Sequence, residues 1–412
     1  MYTSHRSLLT YENRLLLILC VTSGFVFFDR LALSFLFPFI SDELHLSEMQ
    51  LGLMSSALSL TWALSGALSG AWSDARGIRK PILLLAVLGF SVCAAASSWV
   101  VGFMSLLILR TLMGLFEGPV LPMAQSLMVD SSTPERRGLN MGLLQGSSPG
   151  LIGGVIGPPV VIGIATHYGW RDAFYVSCIA GLVLALCIWL WVKEKPSQVQ
   201  PAQTQQNSHV SRWTLLRERN ILLCVLIGCC FLTWFVVIIS FAPTFLMKYR
   251  HFSATDMTIV MTCLGAAWVF WGFVVPGLSD RMGRKTALLI FSPIAALCPI
   301  AMIYGTSVMS LGVFVFLTYT GLGCFTLFMS TIPAETVPRH SIASALGLIM
   351  GTSELVGGFF APIVAGFAAD HYGLAIAMWM AAVAAMMAGL FSAGLKETAP
   401  ILLKKQTDNV IS

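Results

Sequence analysis

Apolar runs long enough to cross a lipid bilayer recur from one end of this chain to the other, and no other feature limits its fold so tightly. A helix needs about 20 apolar residues to span the hydrocarbon core. Twelve such runs are predicted near 14–39, 49–73, 81–100, 104–129, 139–166, 172–192, 220–247, 256–279, 286–305, 310–333, 341–367 and 374–395. Each is continuous. A membrane barrel strand would alternate polar and apolar residues instead. Only 10% of the 412 residues are charged, against about 25% in soluble domains. The expectation is an all-α polytopic membrane protein.

The first run, Leu15–Ile40, is too long for the apolar core of a cleavable signal and no small-residue cleavage pattern follows it. It is expected to remain as the first span. All ten cysteines (20, 93, 178, 187, 224, 229, 230, 263, 298 and 324) fall within predicted spans, none in a C-x-x-C pair. Neither a metal site nor a disulfide framework is expected. A membrane receptor or enzyme is the reading from another class; no added soluble domain argues for a receptor, and no metal motif, nucleophile elbow or phosphate loop argues for an enzyme.

Basic residues set orientation. With the N-terminus in the cytoplasm, 19 of the 24 Lys and Arg lie on the cytoplasmic side. The outer loops hold Arg171, Lys248 and Arg250, and Arg30 and Arg110 lie inside spans. Both termini are therefore predicted cytoplasmic, in a cell (inner or plasma) membrane. The net charge of +5 then reflects topology, and no nucleic-acid partner is expected.

The chain repeats itself. GAWSDARGIRK (70–80) follows the second span and GLSDRMGRK (277–285) follows the eighth, with Asp74 and Asp280 206 positions apart. The Pro/Gln/Ser-rich stretch 196–212 lies between the halves. This predicts a six-helix bundle over 1–192, a linker over 193–219 and a second six-helix bundle with a short tail over 220–412. Paired bundles of this kind suit a rocking transporter. An Asp at a helix end accepts hydrogen bonds from a neighbouring helix N-terminus or pairs with Arg, and Gly77 and Gly283 permit tight turns. Gly70, Asp74, Gly77, Arg79, Asp280, Gly283 and Arg284 read as a cytoplasmic latch. The competing reading is a pair of solvated basic loops that only fix topology. The two clusters resemble the G-x-x-x-D-x-x-G-x-R-K signature of the major facilitator superfamily, with Ile78 and Pro276 departing from it. That resemblance implies the major facilitator fold and transport by alternating access.

Five ionisable residues lie deep in predicted spans: Asp29, Arg30, Arg110, Glu117 and Glu354. Each costs about 2.5–3.5 kcal/mol at a helix centre, so each needs a partner or a cavity. In RTLMGLFEGPVLP (110–122), Arg110, Gly114, Glu117 and Gly118 share one helix face. Two readings compete here. Either these groups face one cavity, or Arg110 and Asp29 form a structural ion pair.

FFDRLALSF in the first span, together with R-x-x-x-G-x-x-E in the fourth, is similar to the anion:cation symporter family. GWRDAF (169–174), TPERRG (133–138) and FAPTFL (241–246) also match. The resemblance implies proton-carrying roles for Asp29 and Glu117, and substrate-anion handling by Arg30 and Arg110. An Arg that exchanges a protein carboxylate for a substrate carboxylate couples the two bindings.

Sugar-acid carriers of that family often place Tyr where this chain has Phe27 and Trp62, and Asn where it has Glu354. The loss of two hydroxyls favours a small or aromatic carboxylate, with Phe27 and Trp62 as apolar walls; the alternative is that both rings face lipid. Glu354 is a further substrate-site candidate and keeps a zwitterion or a sugar acid as alternative cargo. Gln145, Ser147 and Ser148 either bind substrate or cement helices.

Protons are the expected coupling ion, with Na⁺ as the alternative, and no cofactor. The expected partners are a small organic anion and membrane lipid, and the expected unit is a monomer. Drug/proton antiport is the rival on the same fold, but GSSPGLIGGVIGPPV (146–160) has the antiporter residues in the wrong order, and two buried Arg suit anions.

Overall fold

The computed structural model describes residues 10–133, 136–194, 215–338, 341–400 and 402. Among them are twelve helices long and apolar enough to cross a membrane. They are α1 (Tyr11–Leu44), α2 (Glu48–Arg76), α3 (Lys80–Ser97), α4 (Phe103–Ser131), α5 (Arg137–Tyr168), α6 (Trp170–Trp191), α7 (Arg219–Tyr249), α8 (Ala254–Met282), α9 (Arg284–Tyr304), α10 (Val308–Thr336), α11 (Ser344–Tyr372) and α12 (Ala375–Ala393). No strand occurs among the described residues. The chain is a multi-pass membrane protein. Most of the linker expected over 193–219, part of TPERRG, and the tail beyond residue 402 lie outside the described residues.

Several helices outrun their predicted spans. Helix α1 continues to Leu44, well past the apolar run, and carries Pro38 inside it. Hydropathy marks where a helix is apolar, and the backbone stays helical until a turn residue stops it. His45, with φ of 51°, is that stop here. Helices α5 and α11 are interrupted by π-helical segments at Leu143–Ser147, Pro149–Ile156 and Glu354–Phe360. Such segments are frequent at functional sites.

The chain packs as two compact units. The first comprises 1–33 and 61–204; the second comprises 34–60 and 205–412. Ser34–Leu60, the end of α1 and start of α2, packs with residues 205–412. A row of side-by-side contacts between α2 and α11, described below, is the physical reason.

In the first unit α3 packs along α6 and α4, around a core that includes Leu19, Leu83, Phe90, Met123, Met128 and Ile188. Helices in lipid associate by close packing rather than by escape from water, so small residues mark the crossings. Gly118 of α4 is one. A Cβ there would lie 2.0 Å from Ser65 Oγ and 2.3 Å from the Trp62 carbonyl oxygen of α2. In the second unit α12 packs against both α9 and α7, and α8 against α10.

The three basic residues assigned to outer loops are all committed. Arg171 donates to the Val100 carbonyl and stacks on Trp170. Arg250 donates to the carbonyls of Met302, Ile303 and Gly305 at the end of α9. Lys248 pairs with Asp42 at 2.8 Å.

Candidate functional site

Arg110, Gly114, Glu117 and Gly118 form one buried face of α4, as their spacing predicts. Ser65 of α2 donates to the Gly114 carbonyl at 3.2 Å, so the glycines bring α2 against this face. Asp29 of α1, Arg110 and Glu117 are each 0% exposed. The Asp29 carboxyl faces Glu117, Arg110 and Ser177 of α6. Cys93 of α3 borders the same group.

The four charged or hydroxyl-bearing groups are close but poorly bonded. Among the described residues, Asp29, Glu117 and Ser177 lie within reach of one another, yet none of their side-chain oxygens makes a hydrogen bond of ordinary geometry. Arg110 donates Nη1 to Met113 Sδ at 3.2 Å, while Nε and Nη2 have no partner. Its guanidinium lies 5.5 Å from the ring centroid of Phe174. The ion pair between Arg110 and Asp29 weighed at the sequence level is therefore not a formed salt bridge. Buried polar atoms are nearly always satisfied, so this cluster holds unused hydrogen-bonding capacity on both an acid pair and a base.

Arg30, on the next position of α1, is half-buried and sits over the ring of Trp62 at 5.2 Å, within cation–π range. Trp62 and Phe27 line one recess with Ser23, Val26, Val120 and Leu121. Gly153, in a π-helical stretch of α5, lets that helix approach Phe27, since a Cβ there would be 3.0 Å from the Phe27 carbonyl carbon. The first unit thus holds Asp29, Arg110 and Glu117 together, and Phe27, Arg30 and Trp62 together.

The remaining candidates are scattered. Gln145 is exposed, and Ser148 is buried close to Cys20. Glu354 belongs to the second unit, half-buried at the start of a π-helical segment. A Cβ on Gly358 would be 2.5 Å from Glu354 Oε2 and 3.5 Å from Ser59 Cβ.

The loop residues form networks inside each unit. Gly77 and Gly283 adopt φ of 67° and 101°. Gly70 is half-buried, with Pro122 Cβ 4.0 Å from where its own Cβ would stand. Arg79 pairs with Asp130 of α4. Arg284 pairs with Asp280 at 2.5 Å and Glu335 at 3.1 Å. Asp74 is exposed and has no ion pair among the described residues. The helix N-termini are held by acids that sequence reading passed over. Glu194 accepts the amides of Arg79 and Lys80, both at 2.8 Å. Glu397 accepts those of Arg284 at 2.8 Å and Lys285 at 3.1 Å. A signal existed: VKEKP (192–196) and LKETAP (395–400) each follow the last helix of a half.

Phe174 and Ser177 were also missed. Trp170, Phe174, Ser177 and Gly181 are all buried at helical spacing on α6, and that pattern was there to be read.

The Major Facilitator Superfamily model matches residues 19–362. The chain belongs to that superfamily. Its fold class is the twelve-helix one described above, and it is a transporter family member rather than an enzyme. A hexuronate transporter of Bacillus subtilis (strain 168) is 28% identical over 374 residues, covering 84% of this chain and 85% of the relative. A probable sulfoacetate transporter, SauU, of Cupriavidus necator is 23% identical over 385 residues, covering 88% of each. Among solved structures, a bacterial homologue of the human lysosomal transporter Spinster matches with a TM-score of 0.76 and 19% identity, over 93% of this chain and 96% of that one. This last likeness is one of fold.

Proposed function

We propose that this superfamily member is a secondary transporter that carries an organic anion together with a proton by alternating access, in a cell membrane with both termini cytoplasmic. The observation that carries the reading is the Asp29–Arg110–Glu117 cluster: two carboxyls and a guanidinium, fully buried, whose oxygens and two guanidinium nitrogens make no hydrogen bond of ordinary geometry. A carboxylate cargo has the acceptors that Arg110 lacks, and its arrival is favoured once a proton neutralises Asp29 or Glu117. Arg stays charged throughout and offers a planar fork to carboxylates. Arg30, over Trp62, is the second anion contact. Relatives named as hexuronate and sulfoacetate transporters support an acidic cargo.

Within that class, Phe27 and Trp62 lining one recess favour a small or aromatic carboxylate. The hexuronate transporter at 28% identity favours the second reading, a sugar acid. Proteoliposomes with an imposed pH gradient test both. The expected result is accumulation of one acid from a panel of benzoate-like, short-chain and uronic acids, with proton entry and no requirement for Na⁺. Expulsion of cationic drugs, or acid uptake driven only by Na⁺, would replace this reading.

A further inference from the structure

Two turn sequences repeat across the halves: ATHYG (165–169) at the end of α5 and ADHYG (369–373) at the end of α11. Gly169 and Gly373 both have positive φ, 101° and 89°, so the backbone turn is shared. The second residue is not. In the first copy Thr166 turns back on its own helix and donates to the Gly163 carbonyl at 2.9 Å. In the second, both oxygens of Asp370 leave the helix: one accepts the Glu48 amide at 2.8 Å and the other the Met49 amide at 3.1 Å. A carboxylate there satisfies two of the four orphan amides of α2 and complements the positive end of its dipole.

This cap is one end of a continuous row. A Cβ on Gly366 would lie 2.5 Å from the Glu48 carbonyl oxygen, and one on Gly52 would lie 2.1 Å from that of Pro362. Ser56 donates to the Phe359 carbonyl at 2.6 Å. The contacts step along both helices by about one turn, and only glycine fits at two of them. On the other limb of the hairpin Asp42 pairs with Lys248, so α7 holds α1 as α11 holds α2.

We propose that Asp370 is a latch: its carboxylate, backed by the Lys248–Asp42 pair, clamps the α1–α2 hairpin tip onto the second half-bundle at the end opposite the basic loops. Release of that clamp is the step that opens the protein at that end, an assignment that rests on the alternating-access reading above. Cap and ion pair already face solvent, so each exchanges its partner for water at small cost, whereas the glycine row needs no side-chain rearrangement to form. The two ends of the repeat are thereby given unequal holding strength by one residue, Asp370 against Thr166.

Hydrogen exchange by mass spectrometry on the full chain in lipid nanodiscs tests the latch without any substrate. Asp370→Ala is expected to speed amide exchange in the first turns of α2 by about tenfold or more, as loss of a charge-assisted cap implies. Asp370→Glu is expected to restore part of the protection, and Thr166→Ala to leave α5 unchanged. Lys248→Gln is expected to speed exchange near Asp42 and serves as the deciding variant should Asp370→Ala fail to fold. In a Ser59→Cys background, labelling by a membrane-impermeant thiol reagent is expected to rise several-fold with Asp370→Ala. Unchanged exchange and labelling in these variants would overturn the latch, even with transport intact. Loosening of the hairpin in a protein that carries no acid would uphold the clamp and remove the transport reading.

Discussion

Asp29 and Trp234 are 205 positions apart, as are Pro38 and Pro243, so α1 and α7 present their midpoints in register. What stands there differs completely. The first unit holds Asp29 beside Arg110 and Glu117, with carboxyl oxygens that make no hydrogen bond of ordinary geometry. The second holds Trp234, 0% exposed, whose Nε1 donates to the Ala295 carbonyl at 3.0 Å. Its ring lies 4.7 Å from that of Tyr319 and edge-on to Phe231, which stacks on Phe328 at 5.3 Å. One repeat unit has thus become two kinds of core. The aromatic one is close-packed, with the indole N–H bonded and one polar atom, the Tyr319 hydroxyl, without a partner among the described residues. The charged one gathers its unmet bonds on two acids and a base, the feature on which the proposed function rests.

The contrast breaks most visibly at the acids. Glu117→Gln is expected to abolish proton-driven accumulation while leaving exchange of labelled for unlabelled acid across vesicles, measured by counterflow; retained accumulation would remove Glu117 from coupling. In the second unit, Trp234→Ala should cost about 3 kcal/mol of stability or more, from the cavity left by a large side chain. It is read as a lower unfolding temperature in detergent, with accumulation per folded molecule preserved. Loss of coupling at unchanged stability would mean that the aromatic core also works in transport.

Smaller effects sharpen the same division. Arg110→Met should raise the half-saturating acid concentration about 30-fold, the equivalent of the roughly 2 kcal/mol of a charge-assisted bond. Trp62→Leu should weaken binding about fivefold, in line with about 1 kcal/mol for a partly exposed cation–π contact, with aromatic acids losing more than aliphatic ones. An equal loss for both classes would argue for a sugar acid over an aromatic one.

Much of this was legible from residue order alone. Hydropathy marked twelve helices because lipid forbids any other continuous apolar structure with satisfied backbone. The 4, 3, 1 spacing of Arg110, Gly114, Glu117 and Gly118 marked one buried face because helical periodicity is local. The partners of those residues were not local, and so were not visible. Asp130, which pairs with Arg79, reads in isolation as an ordinary acid near a helix end. Glu194 and Glu397 act on amides more than a hundred positions away. The allegiance of Ser34–Leu60 to the second half depends on helix–helix surfaces that no single span reveals.

That allegiance bears on the two residues of the cation–π pair. Along α1 the change of unit falls between Leu33 and Ser34, three positions after Arg30; along α2 it falls between Leu60 and Thr61, just before Trp62. The pair therefore stands at the root of the hairpin, more than ten residues from its tip along either limb. On the proposed function, an anion held by Arg30 would act at the foot of the hairpin whose tip Asp370 caps.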